Sequence, residues 1–96
     1  MPIRFLPEAE SEMIEAAVYY QRQVAGLGDL FIREVEKAAS WIALYPHASS
    51  AVRGKVRRKV LSSFPFSILY RAEEDSVLII ALAHHKRRPS FWQQRK

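Results

Sequence analysis

Apolar residues along this chain change period near its midpoint. From Ala9 onward they recur every three or four positions, at Met13, Ala16, Ala17, Tyr20, Val24 and Leu27, the spacing of one buried stripe on a helix. Pro7 followed by Glu8 and Glu10 marks the start, because proline fits the first helical turn and carboxylates favour the positive end of the helix dipole. Gly26 and Gly28 allow a sharp turn. A second helix is predicted from near Asp29, with Phe31, Val35, Ala38, Ile42 and Tyr45 as its seam and Pro46 as its stop. The first half therefore reads as a helical hairpin, preceded by a short strand in residues 2–6.

Past residue 50 the period falls to two. Residues 52–60 alternate, with Val52, Gly54, Val56 and Val60 on one side and Arg53, Lys55, Arg57 and Lys59 on the other, which predicts one strand with an apolar face and a basic ladder. Arg58 interrupts the apolar series, as at an emerging edge. Phe66–Ala72 and Val77–His84, rich in β-branched and aromatic residues, are the next strands, joined by a turn at residues 73–76. The last is apolar in both phases, which places it centrally with both faces covered. The expected fold is α+β, in the order β-α-α-β-β-β, with the hairpin on one face of a largely antiparallel four-strand sheet. Something else must cover the other face. A single helical turn is expected in residues 89–94.

The 96 residues suit one domain, residues 1–96, that buries roughly 60 to 70% of its unfolded surface. There are no cysteines, which removes disulfides and thiolate metal sites and is compatible with a reducing compartment. The longest apolar run, residues 77–83, is far short of the roughly 20 residues that span a bilayer. No secretory signal is evident, and a soluble, cytoplasmic protein is expected. The net charge of +5 hides an asymmetry: residues 1–52 hold four basic and seven acidic side chains, residues 53–96 eleven basic and three acidic. Such a field attracts a polyanion or an acidic peptide.

Two constellations can carry chemistry. The ladder of Arg53, Lys55, Arg57 and Lys59 spaces its cations about 6.6 to 7 Å apart, near the spacing of phosphates on a single strand; a solvated strand face is the equal alternative. The run His84-His85-Lys86-Arg87-Arg88 holds the groups that metal-free RNA cleavage needs, a histidine as acid or base and an arginine for the phosphate. The alternative is a core strand ending in a solvated tail. Adjacent histidines on a strand point to opposite faces, so no metal site or cofactor is expected. Phe91 and Trp92 either stack on bases or plug the C-terminal segment onto the domain. Trp41 lies off the second helix's seam, so it is a partner-site candidate.

The segment Phe64-Pro65-Phe66-Ser67-Ile68-Leu69-Tyr70-Arg71, followed by Ala81-Leu82-Ala83-His84 and then by Lys86-Arg87 and Phe91-Trp92, resembles the RelE/ParE superfamily of bacterial toxins. With Pro7-Glu8-Ala9, Tyr20, the Gly26-Leu27-Gly28 turn, Phe31 and Val35, the resemblance covers nearly the whole chain. It implies a helical hairpin on a small antiparallel sheet. It also implies the toxin of a type II toxin-antitoxin (plasmid stabilisation) pair, bound in a hetero-oligomer by an antitoxin from a neighbouring gene. Such toxins act either by cutting messenger RNA on the ribosome (RelE-like) or by poisoning DNA gyrase (ParE-like). On this resemblance, His84 and Arg87 are the candidate catalytic residues of a metal-independent endoribonuclease. Arg53, Lys55, Arg57, Lys59, Arg71, Lys86, Arg88 and Trp92 are candidates for holding nucleic acid or target, and Trp41, Arg57 and Lys59 for holding antitoxin. One departure bears on the chemistry: Ser67 stands where RelE-like enzymes commonly carry a second arginine, which weakens the nuclease mechanism. A non-catalytic nucleic-acid-binding module, or a degenerate toxin that only binds its antitoxin, stays open beside the two toxin mechanisms.

Overall fold

The computed structural model describes residues 1–95. Strand β1 (Ile3–Phe5) leads directly into helix α1 (Pro7–Gln23), and α2 (Leu27–Leu44) follows after a short turn. Strands β2 (Ser50–Arg53), β3 (Val56–Val60), β4 (Phe66–Ala72) and β5 (Val77–His84) complete the chain's regular structure. The α+β class and the helical hairpin are as expected, but the sheet has five strands, ordered β1-β5-β4-β3-β2, with β1 parallel to β5 and the other pairs antiparallel.

The extra strand arises because residues 52–60 are a hairpin and not one strand. Gly54, at φ +56°, takes the left-handed conformation that a tight reversal needs. Folding back pairs Arg53 with Val56, so these two share a face although they lie an odd number of positions apart. The four-cation ladder is thereby dismantled. Lys55 sits in the turn, while Arg57 and Lys59 face the helices: Arg57 donates to the Ser49 carbonyl at 2.7 Å, and the Lys59 ammonium lies 4.0 Å from the Trp41 ring centre.

Helix α1 begins with Pro7 and has Glu8 and Glu10 in its first turn. Its residues Ala9 and Ala16 are buried, with Met13, Ala17 and Tyr20 packed beside them; Val24 lies outside the helix and is exposed. In α2 the predicted seam of Phe31, Val35, Ala38 and Ile42 is buried, and Tyr45 is exposed. The two helices are locked by Gln21, whose side-chain oxygen accepts from the backbone N–H of both Gly26 and Gly28 at 3.1 Å. This side chain replaces the missing side-chain N-cap of α2.

Core packing occupies both faces of the sheet. On the helix side Phe66, Ile68, Tyr70, Val77, Ile79 and Leu82 meet α1 and α2. A register shift in the β4–β5 pairing turns both Ile80 and Ala81 to the opposite side, which accounts for apolar residues in both phases of β5. There Val56, Leu69, Leu78, Ile80 and Ala81 are covered by Trp92, only 5% exposed. Residues 89–95 fold as successive tight turns, with Phe91, Gln93 and Arg95 donating to carbonyls three residues back; no helix forms there. Trp92 is therefore a plug, and the stacking role is corrected by its burial.

The β3–β4 loop is tied to α2 by one carboxylate. Glu34 accepts from the backbone N–H of Ser62 and Ser63 and from the Ser62 hydroxyl. Burial pushes this carboxyl up, but the hydrogen bonds from Ser63 and Ser62 outweigh it and hold the pKa below the ordinary 4.5. A folded value lowered in this way contributes stability above pH 4.5 that is lost as pH falls through the folded value. Glu34→Gln is thus expected to flatten the acid limb of a urea-midpoint series below pH 4.5. An unchanged slope there would remove Glu34 from the account.

Candidate functional site

The end of β5 is where the charged tail leaves the sheet, and β5 directs its two histidines apart. His84 pairs with Phe66 on the helix side, its ring edge-on to the phenyl at 5.0 Å. Its Nδ1 accepts the Lys86 backbone N–H at 3.0 Å, so the neutral ring carries its proton on Nε2. In that tautomer His84 presents a donor to the groove beside it, and the nitrogen a general base needs is occupied. His85 turns to the opposite face, where its Nε2 lies 3.0 Å from the hydroxyl of Ser67. Ser67 is 2% exposed, so its hydroxyl and His85 satisfy each other.

Arg87 is half-exposed, with its guanidinium 3.7 Å from a Glu12 carboxylate oxygen and 3.9 Å over the Phe91 ring. It lines a groove of about 340 Å³ with Glu12, Glu15, Tyr19, Tyr20, Phe66 and His84. The groove does bring His84 and Arg87 together, with the carboxylates of Glu12 and Glu15 beside them.

Glu12 organises this region and gives no sign of it in the sequence, where a glutamate on an amphipathic helix looks like a solvated residue. It accepts from Arg95 at 2.9 and 2.8 Å and from the Leu82 backbone N–H at 3.1 Å. Arg95 also donates to the Ile80 carbonyl at 3.1 Å. Strand β1 ends at Phe5, after which the Leu6 N–H reaches the Ile79 carbonyl. Beyond that point the Glu12–Arg95 pair takes over the exposed edge of β5 with side-chain hydrogen bonds.

The second face of the sheet holds a different basic group. Arg58, Ser67, His85 and Arg88 surround a depression of about 130 Å³ floored by Leu69, Phe91 and Trp92. Arg58 was not among the candidates; the signal was its interruption of an apolar phase, which places a cation on a packed face. Arg71 is engaged elsewhere: its register partners are Val56 and Leu78, toward the opposite end of β4 from Phe66, and it pairs with Glu73 at 2.9 Å. Arg53 and Lys55 lie at that same distant end, while Lys86 and Arg88 are exposed on the tail.

A third region combines the antitoxin candidates. Trp41 is half-buried, with Lys59 over its ring and Tyr45 at 5.5 Å. With Glu34, Lys37 and Val60 it lines a cleft beside α2. That cleft borders a larger groove lined by Leu30, Arg33, Lys37 and Phe64. Arg57, held by the Ser49 carbonyl, does not line either. Among the described residues no cluster of three His, Cys, Asp or Glu side chains could hold a metal, and no helix is long and apolar enough to cross a membrane.

A helical hairpin on a five-strand sheet, with a basic tail leaving β5, is the architecture of a RelE/ParE superfamily toxin. A chain from the chromosomal ParDE toxin-antitoxin system of P. aeruginosa superposes with a TM-score of 0.66 over 88% of this chain and 95% of that one, at 13% identity. The family model described as the ParE toxin of the type II toxin-antitoxin system, parDE, matches residues 3–89. The chain belongs to the ParE toxin family and is a type II toxin. No curated protein sequence matches it.

Proposed function

We propose that this toxin arrests growth by inhibiting DNA gyrase, without cleaving RNA, and that a cognate antitoxin neutralises it. The observation that carries the reading is the state of the nuclease candidates. Arg87 is paired with Glu12 and stacked on Phe91, and His84 has its Nδ1 occupied. Ser67, at the position of a phosphate-binding arginine in RelE-like enzymes, is buried against His85. Positioned acid or base groups contribute about 100- to 10,000-fold to such reactions; these residues are arranged for packing and binding. The basic tail then serves to grip a protein target, with Lys86 and Arg88 available for that contact.

Pulse labelling after induction tests the proposal. DNA synthesis is expected to fall first with protein synthesis spared, and His84→Ala is expected to keep the arrest. Early loss of protein synthesis, abolished in His84→Ala and Arg87→Ala, would establish RNA cleavage instead.

For the antitoxin, the cleft at Trp41 and Lys59 and the adjoining groove with Arg33, Lys37 and Leu30 suit a segment that alternates acidic and apolar residues. Trp41→Ala is expected to weaken antitoxin binding by about 2 kcal/mol, roughly 30-fold in Kd. Calorimetry with the neighbouring gene product measures it, and a change under twofold would move the antitoxin to another surface.

A further inference from the structure

Helix α1 carries an apolar patch that the fold does not use. Ala9 and Ala16 are buried, whereas Ile14, Val18 and Tyr19 are 52, 44 and 59% exposed. Ile14 and Val18 are four residues apart on one side of the helix, and with Tyr19 they line one shallow depression on its outer side. Glu15 and Arg22 flank it, both exposed. They lie seven residues apart, close to two full turns, so they share a side of the helix but are separated by about 10 Å along its axis. They are too far apart to pair with each other. Among the described residues neither side chain has an ion-pair or hydrogen-bond partner, and Glu12 is the one acid of this helix that does.

The order of charges selects the occupant. The exposed acids Glu8, Glu10 and Glu15 precede the exposed Arg22. An acidic antitoxin segment or a nucleic acid would meet like charge along most of this face, and a basic segment would meet Arg22. A helix with the same charges in reversed direction fits both ends. Turned end to end about a point between Val18 and Tyr19, a second α1 sets its Arg22 opposite Glu15 and its Glu15 opposite Arg22, with Val18 against Tyr19 between the ion pairs. Such a contact is isologous and closes on itself.

We propose that the outer face of α1 is an interface for a second copy of this chain, formed by antiparallel α1 helices. The inference is independent of the gyrase reading. Glu15 and Tyr19 also line the groove that holds His84 and Arg87, so the second copy walls that groove on one side and the dimer carries two such grooves flanking its axis. A single helix pair falls below the roughly 800 Å² per partner of a stable complex, so the dimer dissociates on dilution.

Sedimentation velocity of the full chain across a hundredfold concentration range tests this, with circular dichroism to confirm that each variant is folded. A monomer–dimer equilibrium is expected, weakened at least tenfold by Val18→Glu. Glu15→Arg and Arg22→Glu are each expected to weaken association, and the double variant E15R/R22E to restore it. A chain that stays monomeric throughout overturns the proposal. So does a dimer indifferent to Val18→Glu, or a double variant no better than its single parents.

Discussion

Glu12→Leu is expected to destabilise the protein by about 3 to 5 kcal/mol, the range for breaking a buried ion pair from one side. The carboxylate is 13% exposed and Arg95 15%, so removing Glu12 strands a guanidinium in a site that solvent barely reaches. The Glu12 side chain raises the pKa of Arg95, and even without that partner a guanidinium stays charged at any accessible pH. That range includes the Leu82 N–H, whose acceptor Glu12 is lost and which costs about 1 to 3 kcal/mol where no water replaces it. Urea denaturation measures the sum. The double variant Glu12→Leu/Arg95→Leu, which strands no charge, is expected to regain more than half of the loss. A single-variant loss under about 1 kcal/mol would mean that the pair is solvated and that the tail is held by Trp92 alone.

Gly28→Ala is expected to cost about 2 to 3 kcal/mol, in the range for forced overpacking. A Cβ at this position would stand 2.5 Å from the Ala17 carbonyl oxygen of α1 and 3.0 Å from the Gln21 Cβ. The first obstacle is backbone, so no rotamer change relieves it and the helices must part. Parting them also lengthens the two Gln21 bonds to Gly26 and Gly28. Thermal unfolding of Gly28→Ala beside Gly28→Ser reads this directly. Equal melting temperatures for parent and alanine variant would show that the hairpin relaxes freely.

The sequence displayed whatever depends on period and hid whatever depends on pairing. Phe31, Val35, Ala38 and Ile42 repeat at helical spacing and are buried as a seam. Periodicity could not separate a nine-residue strand from a hairpin in residues 52–60, because a two-residue turn leaves the alternation of residue types intact while reversing which of them share a face. Gly54 is the visible mark of the reversal, but by residue type it also fits the apolar phase. The opposed directions of His84 and His85 follow from strand geometry and were legible. Glu12 and Glu34 were not, because their partners Arg95, Leu82, Ser62 and Ser63 are distant in sequence, and helix-surface acids that meet such partners look the same as those that meet water. The question of what covers the second face could be posed from the sheet, and its answer, Trp92, lay in the tail.

The strand that carries β1 into the sheet comes late in the chain. Strand β5 joins β4 on one side and, on the other, β1, so that Ile3 must find Val77. Contacts between such remote segments form slowly, since loop closure precedes any gain from pairing. During synthesis the helical hairpin emerges with its seam uncovered, and β1 has no neighbour until β5 is made. A product truncated before residue 77 lacks the strand that joins the sheet's two parts as well as the basic tail. The sheet is consequently completed only once residues 77–84 are available to pair with both β1 and β4.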